Sequence, residues 1–250
     1  MIGDFIRFLS SVHLRSRAWP VEQRSGAPAT APTLPLLQHE ESLEPAAWLE
    51  ESMTSFAKSV ASFLPGHFAA YARVYHPFDM GGLVHEPAES WGELALRYGY
   101  ELRDAASAEQ FAYHGVPNAQ ARHGRLPLAV IDVLLEHLHP GTATPNLCYF
   151  AVWNGFGGSV VPHTLQPLLE LPGREYHVFS GPLTAARTSY QSIELLHQPA
   201  NLWWPADHAW CVASEIDHSW SYVGGSSACI EAILADPRLD AVATSAAERW

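Results

Sequence analysis

Aromatic, strand-like segments crowd the second half of this chain and are separated only by short turns. Each alternates apolar and polar residues or is rich in aromatic and β-branched residues, and most end at Gly, Pro or Asn, which is typical of β-strands. These segments are LCYFAVWNGFG, REYHVFSGP, NLWWP, HAWCVASEI and SYVG. Their spacing lacks the regular strand–helix alternation of a parallel sheet. The sequence therefore predicts an α+β fold, with a mixed or antiparallel sheet and helices packed on one face.

The remaining elements follow from apolar periodicity and helix-capping signals. An apolar residue every three or four positions predicts a helix, and a Ser-x-x-Glu sequence marks a helix start. Helices are expected over 42–64, 91–99, 127–139, 184–196 and 227–235. HFAAYARVYHPF predicts a further strand and LDAVAT an edge strand, whereas residues 100–124 lack periodicity and are expected to form a loop.

The N-terminal region differs in composition from the rest. Residues 24–35, RSGAPATAPTLP, are rich in Pro, Ala, Ser and Thr, as linkers are. We therefore expect residues 1–41 to form an N-terminal arm and linker, and residues 42–250 to form a single α+β domain. The arm lacks the cleavage site and uninterrupted apolar run of a signal peptide, and the chain holds no run of about 18 apolar residues.

Charge and cysteine content restrict the possible partners and the compartment. The chain of 250 residues carries 14 Lys and Arg against 26 Asp and Glu, a net charge of -12. Such a charge repels phosphate backbones and anionic lipid surfaces, so we expect neither nucleic acid nor membrane as a partner. The three cysteines are widely spaced and odd in number, which predicts free thiols and a cytoplasmic protein.

The segment from Pro199 to Ser227 gathers most of the candidate binding residues. Four tryptophans lie in it, Trp203, Trp204, Trp210 and Trp220, and they suit either a stacking cleft or core packing. Adjacent strand residues point to opposite faces, so at most one of the first two can line a given pocket. The candidates in this segment are Trp204, Asp207, His208, Glu215, Asp217 and His218.

Strand alternation also places Glu215 and Asp217 on one face, where they could form a site or accept an ion pair. A divalent metal with His208 or His218 is one alternative, but no ligand signature is present, and we predict neither metal nor cofactor. Arg73 and Arg174 lie within aromatic strands, and a buried arginine requires a carboxylate. Glu215 and Asp217 are the expected partners, in either a binding site or an internal brace.

Two smaller patterns have alternative interpretations. The Gly224–Ser227 stretch, GGSS, could hold an anion, or it could be a tight turn with a serine helix cap. Glu136 and His139 have the spacing of a di-iron motif, but that motif must occur twice and it does not. We therefore favour the turn for the first pattern and discard the second.

Several phrases together resemble a family of hypothetical proteins of actinobacteria. They are YARVYHP, CYFAVWNGFG, LPGREYHVFSGPL, PANLWWPADHAWCV, EID and YVGGS, in that order. The resemblance covers roughly residues 64 to 239. It implies no activity and transfers no catalytic residue. The expected topology is also similar to that of the immunity domains called SUKH, which is an analogy of fold alone.

Two functions from different classes follow. The acidic charge and the lack of a recognisable catalytic motif favour a non-enzymatic interaction or immunity-like domain that binds a basic partner protein. The alternative is an enzyme or small-molecule binder with a Trp-lined cleft that contains Glu215, Asp217 and a histidine. The sequence leaves the catalytic residues of such an enzyme unknown.

Overall fold

A large antiparallel sheet forms the centre of the protein. The computed structural model describes residue 34 and residues 36–53, 59–79, 90–102, 105–115, 120–121, 123–192 and 197–249. The strands are β1 (Gln38–His39), β2 (Ala70–Tyr75), β3 (Phe78–Asp79), β4 (Gln120–Ala121), β5 (Cys148–Trp153), β6 (Leu169–Leu171), β7 (Arg174–Gly181), β8 (Leu202–Pro205), β9 (Cys211–Ser214), β10 (Trp220–Gly225) and β11 (Ala241–Thr244). The α-helices are α1 (Ala47–Ser52), α2 (Trp91–Arg97), α3 (Ala105–Gln110), α4 (Leu128–Leu138) and α5 (Ser227–Ala235).

Nine strands join this sheet in the order β1–β7–β5–β8–β9–β10–β2–β11, and β6 pairs with β7. All of these pairs are antiparallel. Tyr176 on β7 faces both Trp153 on β5 and Leu169 on β6, so β6 lies on the side of β7 that β1 also occupies. One edge of the sheet is therefore β11, as expected, and the other is β1 followed by β6.

Helical segments lie on both faces of the sheet. On one face α4 and α5 pack on residues such as Val74 and Trp203. On the other, α1 and α2 pack on residues such as Tyr75 and Trp204. The α+β class and the antiparallel sheet are confirmed, and the two longest helices do share a face. The prediction placed helices on one face, but shorter helices also cover the second face. They do so because the central strands are buried on both sides.

The predicted helix over 42–64 is wrong in the described residues. Only α1 is α-helical, and Met53 ends it with an extended backbone. A 3-10 turn follows at 60–62, where the amides of Val60 and Ala61 donate to the carbonyls of Glu248 and Ala246. Hydrogen bonds to a segment near the other end of the chain replace those of the helix. Residues 54–58 lie outside the described residues.

Two other expectations are also overturned. In the described part of the helix expected over 184–196, Leu183–Arg187 is a 3-10 turn, and Tyr190 N then donates to Gln198 O outside any helix. Residues 193–196 lie outside the described residues. The expected loop 100–124 contains α3, a π-helical turn at 111–115 and β4. Phe111 anchors this segment to the core, because its buried ring lies 5.6 Å from that of Phe78.

Both serine caps are confirmed. Ser226 accepts from Cys229 N and starts α5, so the Gly224–Ser227 stretch is a strand end and a helix cap. Ser90 accepts a hydrogen bond from Glu93 N and starts α2, and Asp240 accepts another from Trp91 N at 2.7 Å.

All three cysteines are free and buried. Within the described residues, no helix has both the length and the apolar character needed to cross a membrane. Of the predicted N-terminal arm and linker, 1–41, residues 1–33 and residue 35 lie outside the described residues.

Candidate functional site

The four tryptophans of the Pro199–Ser227 segment are core residues. Each is at most 2% exposed. Trp203 packs with α4 and α5 on one face and Trp204 with α1 on the other, as strand alternation predicts. Because Trp204 is fully buried, its contribution is packing, and these tryptophans do not line an open cleft.

Asp207 and His208 form the turn between β8 and β9. Asp207 accepts hydrogen bonds from Thr142 and from the amides of Ala143 and Ala209. Burial raises the pKa of Asp207 and these bonds lower it, with a net shift below its usual value. His208 stacks on Trp48 with ring centroids 4.3 Å apart. This turn lies at the opposite end of β9 from Glu215, so the structure separates these two candidates from Glu215 and Asp217.

Arg174, Glu215 and Asp217 do meet, at the other end of the sheet. Nη2 of Arg174 lies 2.6 Å from Oε1 of Glu215 and 3.5 Å from Oδ2 of Asp217. Burial raises the pKa of Glu215 above its ordinary value, although Arg174 acts in the opposite direction. Asp217 is 77% exposed. Because β9 ends at Ser214, these acids converge through the β9–β10 turn and not through the strand face that the sequence predicted.

Arg73 has a different partner from the one expected. Its guanidinium, 1% exposed, pairs with Glu248 and donates to the hydroxyl of Tyr75 at 3.3 Å. It also lies 5.5 Å from the ring of Trp220. The ion pair with Glu215 or Asp217 is wrong for this arginine, since the C-terminal segment supplies a nearer carboxylate. Arg73 is an internal brace.

His218 is a core residue as well. It is 8% exposed and lies between the rings of Phe63 and Trp220, at 5.3 and 4.8 Å. Burial, and then the nearby positive charge of Arg73, lower the pKa of His218 to about 4. The imidazole is therefore neutral at neutral pH. No group of three or more His, Cys, Asp or Glu side chains in the described ranges is arranged to hold a metal ion.

An open groove of about 490 Å³ adjoins Arg174. Its lining residues come from the end of β5 and from the hairpin of β6 and β7: Trp153, Asn154, Gly155, Glu170, Leu171, Gly173, Arg174 and Glu175. The guanidinium of Arg174 lies 5.4 Å from the ring of Trp153. A Cβ on Gly155 would lie 2.1 Å from Cζ2 of Trp153. The glycine therefore leaves space for the indole at the groove.

Asn154 connects the groove to two histidines. His177 donates from Nε2 to Oδ1 of Asn154 at 2.8 Å, and Nδ1 of His163 lies 3.2 Å from the same oxygen. Burial, followed by the charges of His39 and His163, lowers the pKa of His177 to about 4. These contacts hold the side chain of Asn154 at the groove wall, because His177 and His163 both lie within hydrogen-bonding distance of its Oδ1.

Glu170 and Glu175 face each other across the hairpin. They are direct cross-strand partners, and both are exposed. Residues directly opposite in an antiparallel pair point to the same face. The two-residue Pro172–Gly173 turn fixes this register, with Leu171 opposite Arg174. No sequence pattern singled out Glu170 or Trp153, although a Pro-Gly turn between strand segments would have paired the two glutamates.

Further glutamates lie on the segments that adjoin this hairpin. Helix α1 packs against β6, and the amide of Glu40 donates to Val178 O on β7. Residues 38–53 and 169–176 together contain seven glutamates, and Arg174 is their only Lys or Arg. We call these glutamates the acidic edge: Glu40, Glu41, Glu44, Glu50, Glu51, Glu170 and Glu175.

Comparison with known proteins gives no identification. No family model, no curated protein and no solved structure matches the chain. The candidate site is therefore defined by its own geometry, as an open groove in an acidic sheet edge.

Proposed function

We propose that the protein is a cytoplasmic, non-enzymatic interaction domain that binds a basic partner protein at the acidic edge. The observation that carries this proposal is the concentration of seven glutamates beside one arginine. That arginine is itself paired with Glu215. A single-sign surface attracts the opposite charge and accelerates the encounter with it.

The open groove favours a protein partner, because its lining combines charged carboxylates with an indole. Trp153 and Leu171 supply apolar contact, and Glu170 and Glu175 supply charge. Interfaces characteristically surround a few aromatic or apolar residues with polar groups. A net charge of -12 opposes nucleic acid and anionic membranes as partners.

An immunity-like role is the form of this proposal that best fits the charge. A toxin that acts on nucleic acid is basic where it meets phosphate, and an acidic immunity protein covers such a surface. The likeness to SUKH domains and to the actinobacterial family belongs to this proposal. The enzymatic alternative loses its Trp-lined cleft, because Trp203, Trp204, Trp210 and Trp220 are buried.

Zero-length carbodiimide cross-linking in lysate of the source organism tests the proposal. This reagent joins carboxylates to amines, so it reports which glutamates touch a bound protein. We expect cross-links to a basic protein at Glu50, Glu51, Glu170 and Glu175, and their loss in 0.5 M salt. Replacement of Glu170 and Glu175 by Lys should abolish capture of that protein, whereas Glu231→Lys, on the exposed face of α5, should not. Cross-links spread equally over the acidic edge and Glu231 would contradict the proposal.

A further inference from the structure

Asn154 is followed directly by Gly155, in the turn that leaves β5. A glycine after asparagine favours attack of the backbone on the side-chain amide, because no Cβ hinders the glycine nitrogen. The indole of Trp153 requires this glycine, since a Cβ at position 155 would lie 2.1 Å from Cζ2. Packing therefore builds the Asn-Gly pair into the fold. It is the only one in the chain, whose asparagines are Asn118, Asn146, Asn154 and Asn201.

The backbone nitrogen of Gly155 is available for such an attack. Gly155 is exposed, and its amide donates no hydrogen bond to any of the described residues. The preceding amide, that of Asn154, donates to Glu175 O at 2.8 Å. Hydrogen bonding to β7 therefore anchors Asn154 and stops one residue before the nitrogen that would react.

The side-chain carbonyl of Asn154 is polarised by its neighbours. Oδ1 accepts a hydrogen bond from Nε2 of His177 at 2.8 Å, and Nδ1 of His163 lies 3.2 Å from the same oxygen. Attack on the amide carbon develops negative charge on this oxygen, and a donor already aimed at it stabilises that charge. His177 is 1% exposed, so the surrounding core holds this donor in place.

We propose that Asn154 is a site of self-catalysed deamidation, which converts it to aspartate or isoaspartate and places a carboxylate beside His177. The nitrogen of Gly155 loses its proton and bonds to Cγ of Asn154. The bond between Cγ and Nδ2 then breaks, and Nδ2 leaves with a proton as ammonia. One water molecule opens the resulting succinimide at either carbonyl, which gives the two products. This inference does not depend on the proposed function.

The new carboxylate changes the electrostatics of the groove wall. In the unmodified chain burial, and then the charges of His39 and His163, lower the pKa of His177 to about 4. A carboxylate in place of the neutral amide favours the protonated imidazole, so deamidation raises that pKa. Asn154 lines the groove, and each conversion adds one negative charge there.

Ageing of the purified full chain in heavy-oxygen water at mildly alkaline pH tests the proposal. Ammonia release and intact mass give the rate, and peptide mapping locates the incorporated oxygen and separates aspartate from isoaspartate. Asn146 is the internal control, because it is also partly exposed in a turn. Its following residue is Leu147, whose amide already donates to Thr144 O at 3.0 Å. We expect conversion at Asn154 to be at least about tenfold faster than at Asn146.

Three variants examine the roles of the side chains. Asn154→Gln should abolish the rapid conversion, since its ring closure needs a larger ring. His177→Leu removes the donor and should slow conversion severalfold. Asn154→Asp should raise the pKa of His177 above its value of about 4 in the fresh chain, as an NMR titration of the imidazole would show.

Conversion at Asn154 no faster than at Asn146 overturns the proposal, even if no variant folds. Aspartate without isoaspartate would mean direct hydrolysis of the amide and overturns the succinimide route. Faster conversion in folded His177→Leu would mean that the hydrogen bond protects the amide, and it overturns the role of His177. An unchanged pKa of His177 in Asn154→Asp overturns the electrostatic consequence.

Discussion

Arg73 and Arg174 use the same chemistry in two different places. Each lies over a tryptophan ring, at 5.5 and 5.4 Å, and each pairs with a glutamate. Arg73 is 1% exposed, with Glu248 as its partner, and belongs to the interior. Arg174 is 18% exposed and borders an open groove. The difference shows that location, and not residue type, separates a structural brace from the wall of a binding surface.

The largest effect is expected at the interior arginine. Arg73→Met removes a buried charge but leaves the carboxylate of Glu248 without it, and breaking a buried pair typically costs about 3–5 kcal/mol. Urea unfolding should show a loss of this size. The neighbouring exposed control Arg249→Met should stay within about 0.5 kcal/mol of the unmodified chain. Similar losses in both variants would remove the distinction between brace and surface.

A smaller loss, of about 1–2 kcal/mol, is expected for Gly155→Ala. The new Cβ would lie 2.1 Å from Cζ2 of Trp153, so the indole must move. Urea unfolding of the variant would show this loss. Gly157→Ala is the matched control, because a Cβ there meets nothing within 4 Å. If Gly155→Ala were as stable as Gly157→Ala, the indole of Trp153 would be free to move without cost.

Glu215→Gln should change stability by less than about 1 kcal/mol, in contrast with Arg73, because the cost of burying the Glu215 carboxylate outweighs the attraction of Arg174. The folded protein raises the pKa of Glu215. Its contribution to stability is therefore complete below the pKa of the unfolded chain and is lost as pH rises through the folded pKa. Unfolding curves should show the glutamine variant gaining on the unmodified chain between pH 4 and pH 7. A gain toward low pH instead would mean that Arg174 overcompensates for burial.

The smallest effect is a gain. Glu175→Gln removes a like-charge cross-strand pair and should stabilise the chain by about 0.5 kcal/mol. Thermal unfolding at low and high salt should show the gain shrinking as salt screens the repulsion. Glu231→Gln should show no such gain. A loss of stability in Glu175→Gln would indicate that this carboxylate already has a stabilising partner.

Local patterns predicted those parts of the fold that depend on neighbouring residues. The divergence of Trp203 and Trp204 follows from the two-residue period of a strand, and the caps at Ser90 and Ser226 follow from side chains reaching three residues along the chain. The helix predicted over 42–64 was wrong because its end depends on a distant segment. The amides of Val60 and Ala61 donate to carbonyls almost two hundred residues away.

The same distinction between local patterns and long-range contacts applies to the candidate site. The sequence by itself determined that Arg174 needs a carboxylate and that Glu215 or Asp217 would provide it, because burial of a charge requires compensation. Only the tertiary structure decided that Arg73 turns to Glu248 and that α1 lies against β6. These contacts join segments more than a hundred residues apart, and no local pattern encodes them. The acidic edge exists because the folded chain brings those segments together.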